Sequence, residues 1–323
     1  MRSGTWGLVS GVWSLGTALV GGFAASAGPV AAQETHVLIV SGIGGEAQYT
    51  AAFHEWGGKL YAAAVEGGIP AANVTWLAED PSRNAARIGA RSTKEAVTAA
   101  VRALGERAGG KDQALVVLIG HGSYAGAESR LNLPGPDITA VEFAALLDGV
   151  KAERVGVVVA ASASGEWGKA LASPGRAVAT ATKSGMERNE SVFGRFFADA
   201  YSGAGADSDK DGRVSLAEAF AYAEREVARF YESDNRLMTE HAVLTAPELA
   251  AALYLGAAVG APADASPELR ALHARRTELE GEVAALRARR DSMERAAYEA
   301  ELERLIVELA TVSRRIRELE GGP

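Results

Sequence analysis

Fully apolar runs alternate with helix-period runs along the first two thirds of the chain. Residues 37–40 (VLIV), 114–120 (ALVVLIG) and 155–161 (VGVVVAA) are apolar at every position, not at every second one. A strand with both faces apolar is buried on both faces, which is the signature of a parallel sheet between helix layers. Five strands are predicted on this basis, in residues 35–45, 72–80, 113–123, 154–165 and 175–185. The segments between them have amphipathic helical spacing. Residues 49–68 end in the pair Gly67–Gly68, a natural C-cap. Residues 92–110 open with the capping-box spacing Ser92 to Glu95. Residues 137–150 offer Asp137 or Thr139 as a cap, and 191–201 form a further helix. The expected fold class is therefore α/β, a mostly parallel sheet flanked by helices.

After residue 255 the pattern changes. Residues 256–267 read as a Pro/Ala linker, and 268–320 are dense in Glu, Arg, Leu and Ala. One apolar set runs Leu269, Leu272, Leu279, Val283, Leu286, and a second runs Leu302, Leu305, Leu309, Val312, Ile316, Leu319. The two sets share no single heptad register. A helix start between them, with Asp291 as cap because Glu294 stands three residues on, predicts a helical hairpin. A continuous coiled-coil helix is the rival, and self-association through the apolar seam is a third way to cover it.

Composition narrows the classes. The net charge of -8 argues against nucleic acid as a partner, since phosphate neutralisation needs a basic face. The count of cysteine is 0, which excludes disulfides, thiolate metal sites and thiol catalysis. Residues 1–32 carry one early Arg, a long uncharged stretch, and Val30 and Ala32 in a small-residue cleavage pattern. That predicts a signal peptide and an exported chain beginning near Gln33, with an N-terminal membrane anchor as the alternative.

In a parallel sheet, sites lie beyond the carboxyl ends of the strands. The residues there are Gly42–Gly45, Asp80, His121–Ser123 and Ala161–Gly165. His121 between two glycines is a candidate general base, because imidazole titrates near neutral pH. Ser162 and Ser164 are candidate nucleophiles.

The order of these motifs resembles the legumain-type cysteine peptidases of the caspase-hemoglobinase fold. The family places Asp-His-Gly at one strand end and Ala-Cys-x-Ser-Gly at the next, where this chain has Gly120-His121-Gly122 and Ala161-Ser162-Ala163-Ser164-Gly165. Residues 36–56, 67–80 and 179–191 resemble further family segments, so the likeness spans roughly residues 35–202. The resemblance implies that His121 is the catalytic histidine, that Gly122 helps form an oxyanion hole, and that Ser162 stands where the nucleophilic cysteine would be. Gly44 and Gly120 replace the family's Asn and Asp. A serine hydroxyl has almost no ionised fraction at neutral pH and needs a base held against it. The expectation is a catalytically impaired, peptidase-like module that binds peptide or protein. The alternative is a hydrolase using Ser162 and His121.

The sharpest motif is residues 207–218, DSDKDGRVSLAE. Asp207, Asp209 and Asp211 stand at positions 1, 3 and 5 of an EF-hand-like loop, with Gly212 at 6. The Arg213 carbonyl falls at 7, Ser215 at 9 and Glu218 at 12. Oxygen donors at these spacings suit calcium. Helices are expected on both sides, with the loop clamping the later one onto the α/β body.

Overall fold

Seven strands form one sheet in the computed structural model, which describes Met1 and residues 33–203, 205–256 and 266–320. The expected signal peptide, and the linker from 257 to 265, lie outside the described residues. In chain order the body comprises β1 (Thr35–Ser41), α1 (Ala47–Glu66), β2 (Val74–Ala78), β3 (Ile88–Arg91), α2 (Lys94–Arg107) and β4 (Gln113–Gly120). A small antiparallel sheet follows, β5 (Gly122–Ala125), β6 (Glu128–Leu131) and β7 (Ile138–Thr139). Then come α3 (Ala140–Leu147), β8 (Arg154–Ala161), α4 (Gly165–Ala170), β9 (Arg176–Thr180), α5 (Phe193–Asp199), α6 (Leu216–Ser233), β10 (Val243–Leu244) and α7 (Pro247–Ala250).

The strand order is β10-β9-β8-β4-β1-β2-β3, parallel except for β10. From β1 the chain winds outward to β3, then returns to the other side of β1 as β4. The order therefore reverses between β1 and β4, and the crevice beyond their carboxyl ends is where such sheets bind ligands.

The fully apolar strands are explained by two cores, one on each face. Val37 and Ile39 of β1 face α1, α5 and α6, while Leu38 and Val40 face α2 and α3. Each such side chain contributes about 1.5–3 kcal/mol by leaving water.

Two expectations for the body need correction. The cap of α2 is Thr93, which accepts from the Ala96 N–H. Ser92 is instead buried, and its hydroxyl donates to the Ser41 carbonyl, which takes it out of any capping box with Glu95. We expect Thr93→Ala to cost about 1 kcal/mol in a thermal melt. The third predicted strand stops at Gly120: His121 is a break, and Gly122 begins the second sheet. The edge strands β3 and β10 and the helix α4 carry too few residues to have been foreseen. Of the two caps offered for α3, Thr139 is used, in a reciprocal capping box with Glu142.

The tail forms α8 (Pro267–Ala288) and α9 (Arg295–Leu319), joined by a single turn of tighter helix at Arg290–Ser292. The break lies where the two apolar registers conflict. The cap of α9 is Glu294, which accepts from the Ala297 N–H, and not Asp291. The helices run antiparallel: Glu268 pairs with Arg315 at 2.9 Å and Arg275 with Glu308 at 2.7 Å. Leu279, Val283 and Leu286 pack against Leu305 and Leu309. No helix among the described residues is long and apolar enough to cross a membrane.

Candidate functional site

β4 and β8 pair with Gly120 opposite Ala161, so His121 and Ser162 leave adjacent strand ends side by side. The sheet thus brings together the two residues that the motif order singles out, next to the β1–β4 crevice. The His121 ring lies edge-on to Tyr49 and Phe53 of α1, at centroid distances of 4.7 and 5.1 Å. Its backbone carbonyl accepts from the Asn132 N–H, which ties the strand end to β6.

Ser162 is buried, only 4% exposed. Its hydroxyl accepts from the Gly122 N–H at 3.1 Å and donates to the Gly122 carbonyl at 3.2 Å. The side chain thereby continues the strand ladder for one residue past the point where the strands diverge. Gly122 is required by this approach, because a Cβ there would stand 2.0 Å from the Ser162 carbonyl oxygen. The N–H that would serve an oxyanion hole is committed to the hydroxyl that would be the nucleophile.

Ser164 is also structural. It is fully buried; its N–H donates to the Thr182 hydroxyl at 2.8 Å, and its own hydroxyl accepts from the Thr182 N–H at 3.2 Å. Ala163, between the two serines, holds φ at +51° in the left-handed region. Two bonds hold it there: its N–H donates to the Glu187 carbonyl, and its carbonyl accepts from the Ser129 hydroxyl.

Residues 183–191 lie over these strand ends. Tyr49 donates its hydroxyl to Glu190 at 3.0 Å, which links this segment to α1 beside His121. That bond raises the Tyr49 pKa. The Glu187 carboxylate accepts from the Lys183 and His241 backbone N–H groups, meets His241 Nδ1 at 2.6 Å and pairs with Lys183 Nζ at 3.7 Å. Gly44 and Gly120, which stand where the resemblance would place Asn and Asp, are closely packed. A Cβ on Gly44 would strike Thr50, and Gly44 N–H donates to Glu79. Asp80 caps the turn that follows β2 and pairs with Arg83 at 3.7 Å. Tyr49 and Glu187 fall in the likened segments 36–56 and 179–191 but are not singled out there as site residues, and Asn132 lies outside every motif.

The acidic loop is built separately, between α5 and α6. One carboxylate oxygen from each of Asp207, Asp209 and Asp211 falls within 4.8 Å of the others. Asp207 Oδ2 accepts from the Gly212 N–H, Asp209 Oδ1 from Asp211, and Asp211 Oδ1 from Arg213. These bonds curl the backbone around the carboxylates, and Gly212 supplies the turn with φ at +88°. Asp207 Oδ1 and Asp211 Oδ2 are left buried without a hydrogen-bond partner. Burial first, then the neighbouring Glu218 carboxylate, pushes Asp209 up to about 6. Burial, then Asp209, pushes Asp211 up to about 8.

Glu218 lies behind the three aspartates with its oxygens turned to N–H and O–H groups of Ser208, Asp209 and Ser215. Ser215 is the N-cap of α6, in a capping box with Glu218. The Arg213 side chain points away from the cluster, onto the Tyr254 ring at 3.5 Å. The structure therefore joins Asp207, Asp209 and Asp211 directly. Ser215 and Glu218 hold the loop to the helix after it.

Compared with known proteins, the chain matches no family model, and no curated relative matches it in sequence.

Proposed function

We propose that this chain is an exported, catalytically silent protein of legumain-like peptidase architecture, which binds peptide or protein partners and carries a calcium loop. One observation carries the silent reading: the Ser162 hydroxyl is buried and spends its hydrogen bonds on Gly122 rather than on the His121 ring. A serine nucleophile needs a base on its hydroxyl and free N–H donors facing the developing oxyanion. Here the same pair of groups neutralise each other.

The calcium reading rests on the donor set. Three carboxylates converge, and two of their oxygens are buried and unpartnered. Asp207, Asp209 and Asp211 would hold a hard cation with the Arg213 carbonyl, while Glu218, expected as a ligand with Ser215, is taken up in holding the loop to α6; the ion's role is structural. An exported protein meets enough calcium to fill even a weak loop of this kind.

The test uses the chain from residue 33, purified with calcium. It is incubated with a serine-reactive fluorophosphonate and with mixed peptide substrates, beside Ser162→Ala. We expect no labelling and no cleavage from either form. Ser162→Ala should instead lose about 1–3 kcal/mol of stability, because it leaves both Gly122 groups unpaired. Labelling that disappears in Ser162→Ala would establish a working hydrolase and overturn the proposal.

A further inference from the structure

We propose that the acidic loop 207–218 is a latch for the tail, and that a divalent cation bound in the loop keeps the α8–α9 pair docked on the α/β body. This rests on the calcium reading above and extends it to what the cation controls.

The argument begins with what is missing between tail and body. The apolar clusters of the tail are drawn from residues 269–316 alone, and the two body clusters end at Leu255. Among the described residues no apolar cluster spans the two. The tail's attachment therefore rests on contacts outside these clusters, including the approach of α8 to α7.

The polar contacts across the junction converge on the loop. Arg317 of α9 donates to the Asp211 carbonyl at 3.4 Å, and its guanidinium covers Gly212, where a Cβ would lie 2.2 Å from Nη1. Arg213 of the loop pairs with Glu280 of α8 at 3.4 Å while stacked on Tyr254. Arg276 of α8 is buried at the same place, beside Arg213 and within the field of Asp211.

The backbone that meets Arg317 and Arg213 is the backbone curled around the three aspartates. Its shape depends on carboxylates that repel one another when ionised. A divalent cation removes that repulsion and sets the loop. The two contacts with the tail, the Asp211 carbonyl and the Arg213 side chain, are presented by that loop shape. Ion and tail therefore bind cooperatively, and by linkage a docked tail tightens ion binding.

The chain has 0 cysteines, so two introduced thiols label cleanly. Val141 on the body and Val307 on α9 are exposed, at 61% and 60%, and each is replaced by Cys carrying a nitroxide. Electron–electron distance measurements are made on the chain from residue 33 with calcium and with chelator, and calcium binding is measured by calorimetry. We expect one narrow distance with calcium and a broad, longer distribution with chelator. Arg317→Ala combined with Glu280→Gln should broaden the calcium-bound distribution and weaken calcium binding several-fold without abolishing it. Heat of calcium binding with an unchanged distance distribution would overturn the latch and leave the calcium site standing. No calcium binding at all would overturn both.

Discussion

Trp76→Ala should destabilise the fold by about 3–5 kcal/mol, among the largest single losses this body can suffer. Trp76 is 0% exposed on β2. Gly57 of α1 has no side chain where a Cβ would stand 2.7 Å from the indole nitrogen, so the ring lies flat against the helix. The indole N–H donates to Ser41 Oγ, which donates to the Phe53 carbonyl, while the Ser41 carbonyl takes the Ser92 hydroxyl. One ring thus fills the core and ties the end of β1 to α1. Phe53 carries the contact on to the His121 ring. Urea denaturation of Trp76→Ala and Trp76→Phe separates the two effects. The Phe variant keeps most of the packing and loses the hydrogen bond, so it should fall between wild type and Ala. Equal losses for both would mean that the polar chain, and not the volume, holds this end of the sheet.

The sheet was legible because its strands are short, β-branched and apolar on both faces, as in residues 114–120, and alternate with helix-period segments. The elements that escaped are those stabilised by partners and not by pattern. β3 and β10 are short edge strands whose pairing comes from β2 and β9. The β5–β6 hairpin turns through Gly126 and Ala127, both at positive φ. The usual Asn-Gly signal is missing there, because an alanine occupies the second left-handed position. At α2 the spacing favoured Ser92 over Thr93, yet tertiary structure claimed the Ser92 hydroxyl for the Ser41 carbonyl. In the tail, register conflict correctly marked a break between two helices, but the cap fell on Glu294, three residues beyond Asp291.

The site was legible to the same depth. Strand-end position put His121 near Ser162 and Ser164, the resemblance chose Ser162, and the pairing of β4 with β8 sets His121 and Ser162 side by side. What the hydroxyl does there was not legible. Whether Ser162 faces His121 or Gly122 depends on how far the two strands diverge, and that is set by the β5–β6 hairpin pulling Gly122 out of the main sheet. The acidic loop is the opposite case. Its ligand spacing is local, so Asp207, Asp209 and Asp211 converge as their positions require.

The proposed calcium site predicts a definite pH signature in chelator, set by the cost of that convergence. Burial and neighbouring charge raise Asp209 to about 6 and Asp211 to about 8, from an unfolded value near 3.8. A carboxyl raised on folding contributes nothing adverse below its unfolded pKa. Stability is then lost as pH rises towards the folded value, because the unfolded chain has released the proton and the folded chain has not. In chelator, stability should therefore fall from about pH 4 to about pH 8 and level off above it. A bound cation favours the ionised form, so binding expels protons, and affinity should rise over the upper part of the same range. At pH 8 and calcium about 100-fold above its dissociation constant, the ion contributes about 2.7 kcal/mol, or a shift in Tm of about 5–10 °C. Asp211→Asn sharpens the test. It removes one ligand, so the calcium response should shrink. It also removes the most strongly raised buried carboxyl, so in chelator at pH 8 the variant should melt above wild type. Thermal melts of both proteins at pH 5 and pH 8, with calcium and with chelator, decide the matter. A wild-type melting temperature indifferent to chelator at pH 8 would mean that the three aspartates are held together by the protein alone.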